Sequence, residues 1–256
     1  MLIDLPKQSK VPLIFVHIPK TGGMSTLNSL SCFEYIIHRN IKEDINLIKN
    51  KKRNPDNYFS FTIIRNPWDR MVSNYFFHKQ RVHNDPVHHK KLFKPNEKNK
   101  LKEWIKKHEE EDEFWKKYEF KDWIKLFDEK NEEKSTSIYH DTIKTTYMDL
   151  ITINNKIAVD YIINLHNYKK EINVIKSLSG KSFNDPKYIH RNKSNHKDYR
   201  EYYDNETIEI VANAYKKDID TFGFKFDDKE YAEHEKYINK EKVRKFISKF
   251  GTFKLV

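Results

Sequence analysis

Glycine is scarce in this sequence: only 5 of its 256 residues are Gly, and two of them, Gly22 and Gly23, are adjacent. The glycine order of a Walker A loop, in which a Gly and four residues precede Gly-Lys-Ser/Thr, is absent because Lys20 comes before the pair. That absence excludes the common nucleotide loop of ATP- and GTP-binding proteins. A glycine pair in so glycine-poor a chain indicates a tight turn or a close approach of backbone to a ligand.

Cysteine and long apolar runs are also lacking. Cys32 is the only cysteine, so a disulfide within the chain and a cysteine-based zinc site are both excluded. No apolar run approaches the ~20 residues of a membrane-spanning helix, and residues 1–10 lack the apolar core of a secretory signal. His83, His88 and His89 have no clear metal-ligand spacing, so we expect no metal site there.

Acidic residues are outnumbered by basic ones. The 49 Lys and Arg residues against 38 Asp and Glu residues give a net charge of +11, which favours anionic partners such as nucleotides, acidic glycans, nucleic acid or anionic lipid. A Lys- and Asn-rich composition can also reflect genome composition alone. The basic residues are spread along the chain rather than gathered in a nucleic-acid-binding motif, so we expect no nucleic-acid partner.

Residues 13–26 predict a strand, a turn and the start of a helix. Leu13–Val16 is a short apolar run typical of a buried parallel strand. The glycine pair follows it, and Ser25 and Thr26 stand where a helix would begin. Backbone N–H groups at a helix N-terminus and the ammonium of Lys20 would all favour an anion at this turn. The segment therefore predicts an anion-binding cradle.

A second strand followed by polar residues lies further along the chain. Residues 58–64 predict a strand that runs directly into Arg65, and Pro67 fits the first turn of the following helix. Ser73 lies eight residues beyond Arg65, about two turns into that helix. An Arg at a strand end and a Ser on the next helix can converge on one phosphate, to which Arg presents a two-pronged donor.

The two motifs, in this order, resemble those of sulfotransferases that use 3′-phosphoadenosine 5′-phosphosulfate (PAPS). The sequence Pro-Lys-Thr-Gly-Gly at 19–23 resembles their 5′-phosphosulfate loop. Its residue order is similar to that of the carbohydrate branch and of heparan sulfate 2-O-sulfotransferase-like enzymes. The resemblance covers most of residues 11–226. It implies a three-layer, P-loop-like α/β fold, in which helices flank a central parallel sheet, as a single domain over residues 1–256.

The resemblance also implies which residues bind PAPS. Arg65 and Ser73 correspond to the 3′-phosphate motif, and the late basic loop at 188–200 corresponds to one that closes over the nucleotide. The candidate cofactor-binding residues are Lys20, Thr21, Gly22, Gly23, Ser25, Thr26, Arg65, Ser73, Arg191, Lys193 and Ser194. Since Lys and Arg would neutralise the donor, no metal is implied.

The implied reaction is in-line transfer of a sulfuryl group from PAPS to a carbohydrate hydroxyl, leaving adenosine 3′,5′-bisphosphate. Lys20 would stabilise charge on the bridging oxygen, and a general base would take the hydroxyl proton. His38 is the candidate base, because relatives use a His between the two motifs and His38 follows a predicted strand at 33–37, where ligands of parallel sheets lie. Other candidates for the base are Glu34, His78, His83 and His140.

The acceptor implied is a glycan or glycolipid, acidic ones included, while its identity and the oligomeric state stay open. Many animal relatives are held in the Golgi by a membrane anchor. No anchor is found in this sequence, so we expect either a cytoplasmic enzyme of bacterial or viral origin or a shortened form of an anchored one.

The remaining periodicities predict further elements. A fourth strand is expected at 157–165, and helices are expected at 41–48 and 168–178. A helix capped by Asp204 or Asn205 would carry the face Ile208, Val211, Tyr215, Ile219 and Phe222 and end at Gly223. A helical insertion is expected at about 80–135 and a charged helical tail at about 228–256.

Two other functions remain open. A nucleotide-binding phosphotransferase would prefer ATP with Mg²⁺ to adenosine 3′,5′-bisphosphate, although the missing Walker A order argues against it. A non-catalytic module for an anionic polymer such as RNA or a glycan is permitted by the charge and the interleaved aromatic residues. Such a module would bind RNA at moderate salt and would not bind the bisphosphate.

Overall fold

The computed structural model describes residues 2–3, 11–30, 38–84, 98–126, 145–179, 196–228 and 230–250. The chain divides into two compact units, the first comprising residues 1–66, 145–191 and 216–256 and the second comprising residues 67–144 and 192–215. The predicted strand at 33–37 lies outside the described residues, as do Arg191, Lys193 and Ser194.

A mixed sheet lies in the first unit. Its strands are β1 (Leu2–Ile3), β2 (Leu13–Val16), β3 (Phe59–Ile64) and β6 (Tyr161–Asn164), in the order β1-β2-β3-β6. Strands β2, β3 and β6 are parallel, and β1 pairs with β2 in the antiparallel sense. The predicted α/β class with a central parallel sheet is therefore confirmed, whereas the three-layer, P-loop-like arrangement stays a prediction.

The apolar runs become strands because both faces of the sheet are covered. Every residue of β2, β3 and β6 is buried, as expected for parallel strands inside an α/β unit. Phe15 stacks on Phe61 of the neighbouring strand with ring centroids 4.7 Å apart. The core around these rings contains Val11, Leu13, Phe15, Leu27, Leu30, Phe59, Phe61, Ile63, Tyr161, Ile163, Tyr168, Ile172, Ile175, Leu178, Val243 and Phe246.

The predicted strand at 157–165 is wrong in its first half. Strand β4 (Thr152–Ile153) pairs with β5 (Lys156–Ile157) in an antiparallel hairpin. Asn154 and Asn155 connect the two strands with φ values of 50° and 60°, the left-handed conformation that two-residue hairpin turns require and that Asn tolerates. The hairpin takes Ile157 out of the main sheet, so β6 begins only at Tyr161.

The helices of the first unit include those predicted after the glycine pair, at 41–48 and at 168–178, and one at Tyr147–Ile151 that the sequence pattern does not predict. They are α1 (Gly23–Ser29), α2 (Ile41–Asn50), α6 (Tyr147–Ile151), α7 (Tyr168–Ser179), α9 (Lys216–Phe222) and α10 (Lys240–Phe250). Short 3₁₀ turns occupy Pro55–Asn57, Leu165–Asn167 and His234–Tyr237. Helix α2 begins with a capping box in which Asn40 and Glu43 satisfy each other's backbone N–H groups.

The second unit is helical in its described part. It contains α3 (Pro67–Asn84), α4 (Lys98–Lys117), α5 (Phe120–Lys125), a 3₁₀ turn at Tyr199–Tyr202 and α8 (Asn205–Ala214). Tyr75 of α3 lies at the centre of its aromatic core, with ring centroids 5.5–5.7 Å from those of Trp115, Phe120 and Trp123. Of the helices described in either unit, none is both long enough and apolar enough to cross a bilayer.

The single helix predicted from Asp204 to Gly223 is instead two helices. Tyr215 separates α8 from α9 with φ −110° and ψ 23°, outside helical values. Its hydroxyl lies 3.3 Å from the sulfur of Met71 in the second unit. In the first unit, the buried carboxylate of Asp218 accepts hydrogen bonds from the N–H groups of Tyr147 and Met148 at the start of α6. Each half is thus fixed by its own partners, which sequence periodicity does not show.

The charged tail contributes to the core of the first unit. Val243 and Phe246 of α10 are buried, and the Phe246 ring lies 5.6 Å from that of Phe59 in β3. The Lys242 ammonium lies 2.9 Å from the Asp160 carboxylate. That carboxylate also accepts hydrogen bonds from the N–H and hydroxyl of Ser60, where β3 begins. The tail therefore stabilises the sheet at the amino-terminal ends of β3 and β6.

His234 and Glu171 form a buried pair that makes the stability of the first unit depend on pH. Nε2 of His234 lies 3.0 Å from a Glu171 oxygen, which also accepts the N–H of Asn164. Burial alone would lower the pKa of His234, but the hydrogen bond and charge of Glu171 outweigh it and raise the pKa above 6.5. The stabilisation is therefore full below pH 6.5 and is lost as pH rises through the raised pKa.

We predict that the wild type loses free energy of unfolding in urea, relative to His234→Asn, as pH rises above 6.5. The comparison with the variant cancels the other titrating groups, such as Lys20, whose lowered pKa adds stability as pH rises. His196→Asn is the matched control, since His196 lies in the second unit and leaves the pair intact. A difference in free energy of unfolding between the wild type and His234→Asn that is the same at pH 6 and pH 9 would contradict the assignment.

Candidate active site

The turn after β2 has a backbone conformation that residues other than glycine rarely adopt. Lys20 has φ 66° and Gly22 has φ 83°, and for a residue with a Cβ this left-handed region costs roughly 1–2 kcal/mol. The hydroxyl of Thr21 donates to the Ile18 carbonyl at 2.9 Å and closes the turn. Strain of this kind clusters at ligand-binding sites, so the turn predicted from the glycine pair is a candidate site.

Helix α1 begins directly at Gly23, close to the sequence-predicted position. The Thr26 N–H donates to the Gly22 carbonyl at 3.1 Å, and the Thr26 hydroxyl also lies 3.0 Å from that of Tyr168 on α7. Thr21 and Thr26 are fully buried, and Ser25 is nearly so. Since the hydroxyls of Thr21 and Thr26 hydrogen-bond inside the protein, their predicted contact with a nucleotide stays a prediction.

Arg65 lies beside the same turn. It follows β3, the strand adjacent to β2, and its Nη1 donates to the Lys20 carbonyl oxygen at 3.1 Å. The Tyr147 hydroxyl donates to the Arg65 carbonyl, and the buried side chain of Asn66 donates to the Lys225 carbonyl at 2.8 Å. The chain around Arg65 is thus held from two sides, which directs its guanidinium to the turn.

The pairing of Lys20 with Arg65 brings two positive charges together. Desolvation by burial, with the nearby Arg65 charge as the second cause, lowers the pKa of Lys20 to about 7. An ammonium group so perturbed favours a nearby anion, because an anion would offset both effects. The site therefore has electrostatics that favour an anion.

His38, the predicted base, lies in the first unit beside the end of β2. Its Nδ1 lies 3.2 Å from the carbonyl oxygen of His17, and the two imidazole rings stack with centroids 4.7 Å apart. His38 is exposed, whereas His17 is 6% exposed. An exposed imidazole with one nitrogen fixed by the backbone has a geometry that suits a proton acceptor.

His17 is the residue of this arrangement that sequence reasoning missed. It immediately follows β2, so the argument that placed His38 at the carboxyl end of a strand applies to His17 as well. A Cβ on Gly23 would come within 1.8 Å of two atoms of the His17 ring. The second glycine of the pair is thus required by the His17 ring, independently of any ligand.

The remaining predicted residues are not brought into this arrangement by what the structure describes. Ser73 is buried on α3 of the second unit, and its pairing with Arg65 stays a prediction. Among the alternative bases, His78 stacks on Trp115 in the aromatic core of the second unit, with centroids 5.4 Å apart. Glu34, His140 and the side chain of His83 lie outside the described residues.

Within the described ranges, no group of three or more His, Cys, Asp or Glu side chains is arranged to hold a metal ion. The expectation of no metal site stays a prediction, because His88 and His89 lie outside those ranges.

Comparison with known proteins identifies the family of the chain. The family described as the sulfotransferase family matches residues 8–225, which is most of the chain. The protein therefore belongs to the sulfotransferase family and is a transferase of that type. In comparisons with curated proteins and with solved structures, no match is found.

We predict that the Lys20 ammonium titrates with a pKa about 7 in the free protein, as measured by NMR of the lysine side chains. Arg65→Gln should raise that pKa because it removes the neighbouring charge, yet leave it below 10.5 because burial remains. Arg53→Gln is the matched control, since Arg53 bonds to Tyr58 instead. A Lys20 pKa near 10.5 in the wild type would contradict the burial of the Lys20 ammonium beside Arg65.

Proposed function

We propose that the protein transfers a sulfuryl group from PAPS to a hydroxyl of a carbohydrate, with adenosine 3′,5′-bisphosphate as the second product. The observation that carries this proposal is the hydrogen bond from Arg65 to the carbonyl of Lys20, which holds two cations at the ends of adjacent parallel strands. Family membership supports sulfate transfer in general. The donor and the acceptor class are inferred from the resemblance of the sequence motifs, and the base is inferred from that resemblance together with the position of His38.

The turn residues fit a phosphosulfate group. Lys20 has a pKa lowered by burial and by Arg65, so a bound anion would stabilise its charged form. Lys20 would hold the bridging oxygen and 5′-phosphate, and Arg65 would hold the 3′-phosphate through its fork of donors. Ser73 is assigned to that second phosphate by the sequence motif alone. Bound PAPS would supply the activated sulfuryl group.

In the transfer, the acceptor oxygen forms a bond to sulfur as the bond between sulfur and the phosphate oxygen breaks. The electron pair of the broken bond stays on that phosphate oxygen, where the charge of Lys20 stabilises it. The proton of the acceptor hydroxyl passes to His38, since imidazole is the side chain that most often acts as a general base near neutral pH. The exposure of His38 leaves it accessible to an acceptor arriving from solvent.

The acceptor is proposed to be a glycan or glycolipid. One support is the residue order at 19–23, which resembles that of the carbohydrate branch. The other is the net charge of +11, which would attract acidic glycans.

The test is a transfer assay with sulfur-labelled PAPS and a panel of neutral and acidic glycans. Lys20→Ala should lower kcat/KM on the order of 10²–10³-fold, as expected when a charge-stabilising group is removed from a transition state. Lys42→Ala, an exposed Lys on α2, is the matched control and should keep full activity.

Thermal shifts with adenosine 3′,5′-bisphosphate and with ATP plus Mg²⁺ complete the test. Stabilisation by the bisphosphate supports a PAPS enzyme, since a ligand that binds the folded state raises its stability. Stabilisation by ATP and Mg²⁺ alone would support a phosphotransferase. Binding of RNA at moderate salt without bisphosphate binding would support a polymer-binding module. Either of these results would overturn the proposal.

A further inference from the structure

His17 is buried at the carboxyl end of β2 and takes part in three contacts around the candidate base. Its ring is tilted against Phe15 with centroids 5.5 Å apart. The same ring stacks with that of His38, and it fills the space in which a Cβ of Gly23 would lie. A side chain confined on several sides offers a fixed surface to the exposed ring that it touches.

The backbone of His17 is as well fixed as its ring. Val16, the preceding residue, pairs with Thr62 of β3, and the Thr62 hydroxyl donates to the Val16 carbonyl at 2.8 Å. The carbonyl oxygen of His17 therefore projects from the end of a strand held in register. Its distance of 3.2 Å from Nδ1 of His38 is set by the sheet rather than by a loose turn.

His38 is anchored on its other side by the start of α2. The Nε of Arg39 donates to the fully buried carboxylate of Asp44 at 2.8 Å. Asn40 and Glu43 close the capping box of the same helix. The backbone of His38 thus leads into a fixed helix start, and the His38 ring lies against that of His17.

We propose that His17 is a positioning residue for His38: its ring is the platform that holds the His38 imidazole, and its carbonyl oxygen selects the His38 tautomer. A carbonyl oxygen only accepts hydrogen bonds, so the hydrogen must be on Nδ1 of His38. Nε2 then carries the lone pair and is the nitrogen that accepts a proton. The inference rests on the proposed function, in which His38 takes the proton of the acceptor hydroxyl.

The contribution of the His17 ring can be tested by substitutions that leave the His17 carbonyl in place. His17→Ala removes the platform and keeps the carbonyl, so the His38 ring is free to rotate away. His17→Phe keeps a flat ring of similar size and also keeps the carbonyl. Gly23→Ala displaces the His17 ring from its opposite side, because the new Cβ would overlap with it.

NMR of ¹⁵N-histidine-labelled protein tests the inference without any donor or acceptor. The signals of His38, one of 12 histidines, are identified by their loss in His38→Ala. We expect hydrogen on Nδ1 and a lone pair on Nε2 in the wild type and in His17→Phe. In His17→Ala and Gly23→Ala, the Nε2–H tautomer that free histidine favours should become populated. A wild-type His38 with hydrogen on Nε2, or one that is unchanged in His17→Ala, would overturn the inference.

Kinetics supply the second measurement. His17→Ala should lower kcat on the order of 10²-fold, as small misplacements of a reacting group do, with bisphosphate affinity unchanged, while His17→Phe should stay close to the wild type. In a double-mutant cycle, Gly23→Ala should cost much less when combined with His17→Ala than alone, because the space it needs is then vacant. Additive losses would show that Gly23 acts on the ligand and not through His17.

The two measurements separate failure of this inference from failure of the proposed function. A protein that binds no bisphosphate and transfers no sulfate would refute the proposed function, while the tautomer of His38 would still report on His17. Should His17→Ala not fold, Gly23→Ala and His17→Phe provide the same contrast. Transfer that survives His17→Ala at the full rate would overturn the role of His17 alone.

Discussion

The hydrogen bond from the Arg65 guanidinium to the Lys20 carbonyl is the interaction on which the candidate site depends. It joins the residues that follow two adjacent parallel strands and brings a second cation close to Lys20, whose pKa is already lowered by burial. Two like charges in a half-buried site are unfavourable without an anion. The same contact that orders the turn therefore also favours an anion there, and in the proposed function that anion is the phosphosulfate group of PAPS.

The amino-terminal and carboxyl ends of the parallel strands differ in charge, and the fold explains why. At the amino-terminal ends, the Asp160 carboxylate binds Ser60 and is neutralised by Lys242 of the C-terminal helix. At the carboxyl ends of the strands, the charges come from Lys20 in the turn after β2 and from Arg65 directly after β3, on the side where ligands of parallel sheets bind. The C-terminal helix, which fills the core with Phe246, thus stabilises the strand ends opposite to the site.

Much of this arrangement could be predicted from the sequence, because the information is local. Leu13–Val16 is a strand, as its apolar run predicts, and the glycine pair marks the turn. The hairpin through Asn154 and the break at Tyr215 could not be predicted from periodicity, since each depends on a turn conformation or on a distant partner. His17 was missed because a histidine after a strand has no motif of its own, and its proposed role rests on the stacking with His38 that only the structure shows.

The most direct measurement of whether Lys20 and Arg65 await an anion is calorimetry of adenosine 3′,5′-bisphosphate binding at pH 8, in buffers of different ionisation enthalpy. Lys20, with a pKa about 7, is mostly neutral at that pH in the free protein. A bound phosphate would restore its proton, so binding should take up close to one proton in the wild type and none in Lys20→Arg. Binding without proton uptake, or equal uptake in both proteins, would contradict the assignment.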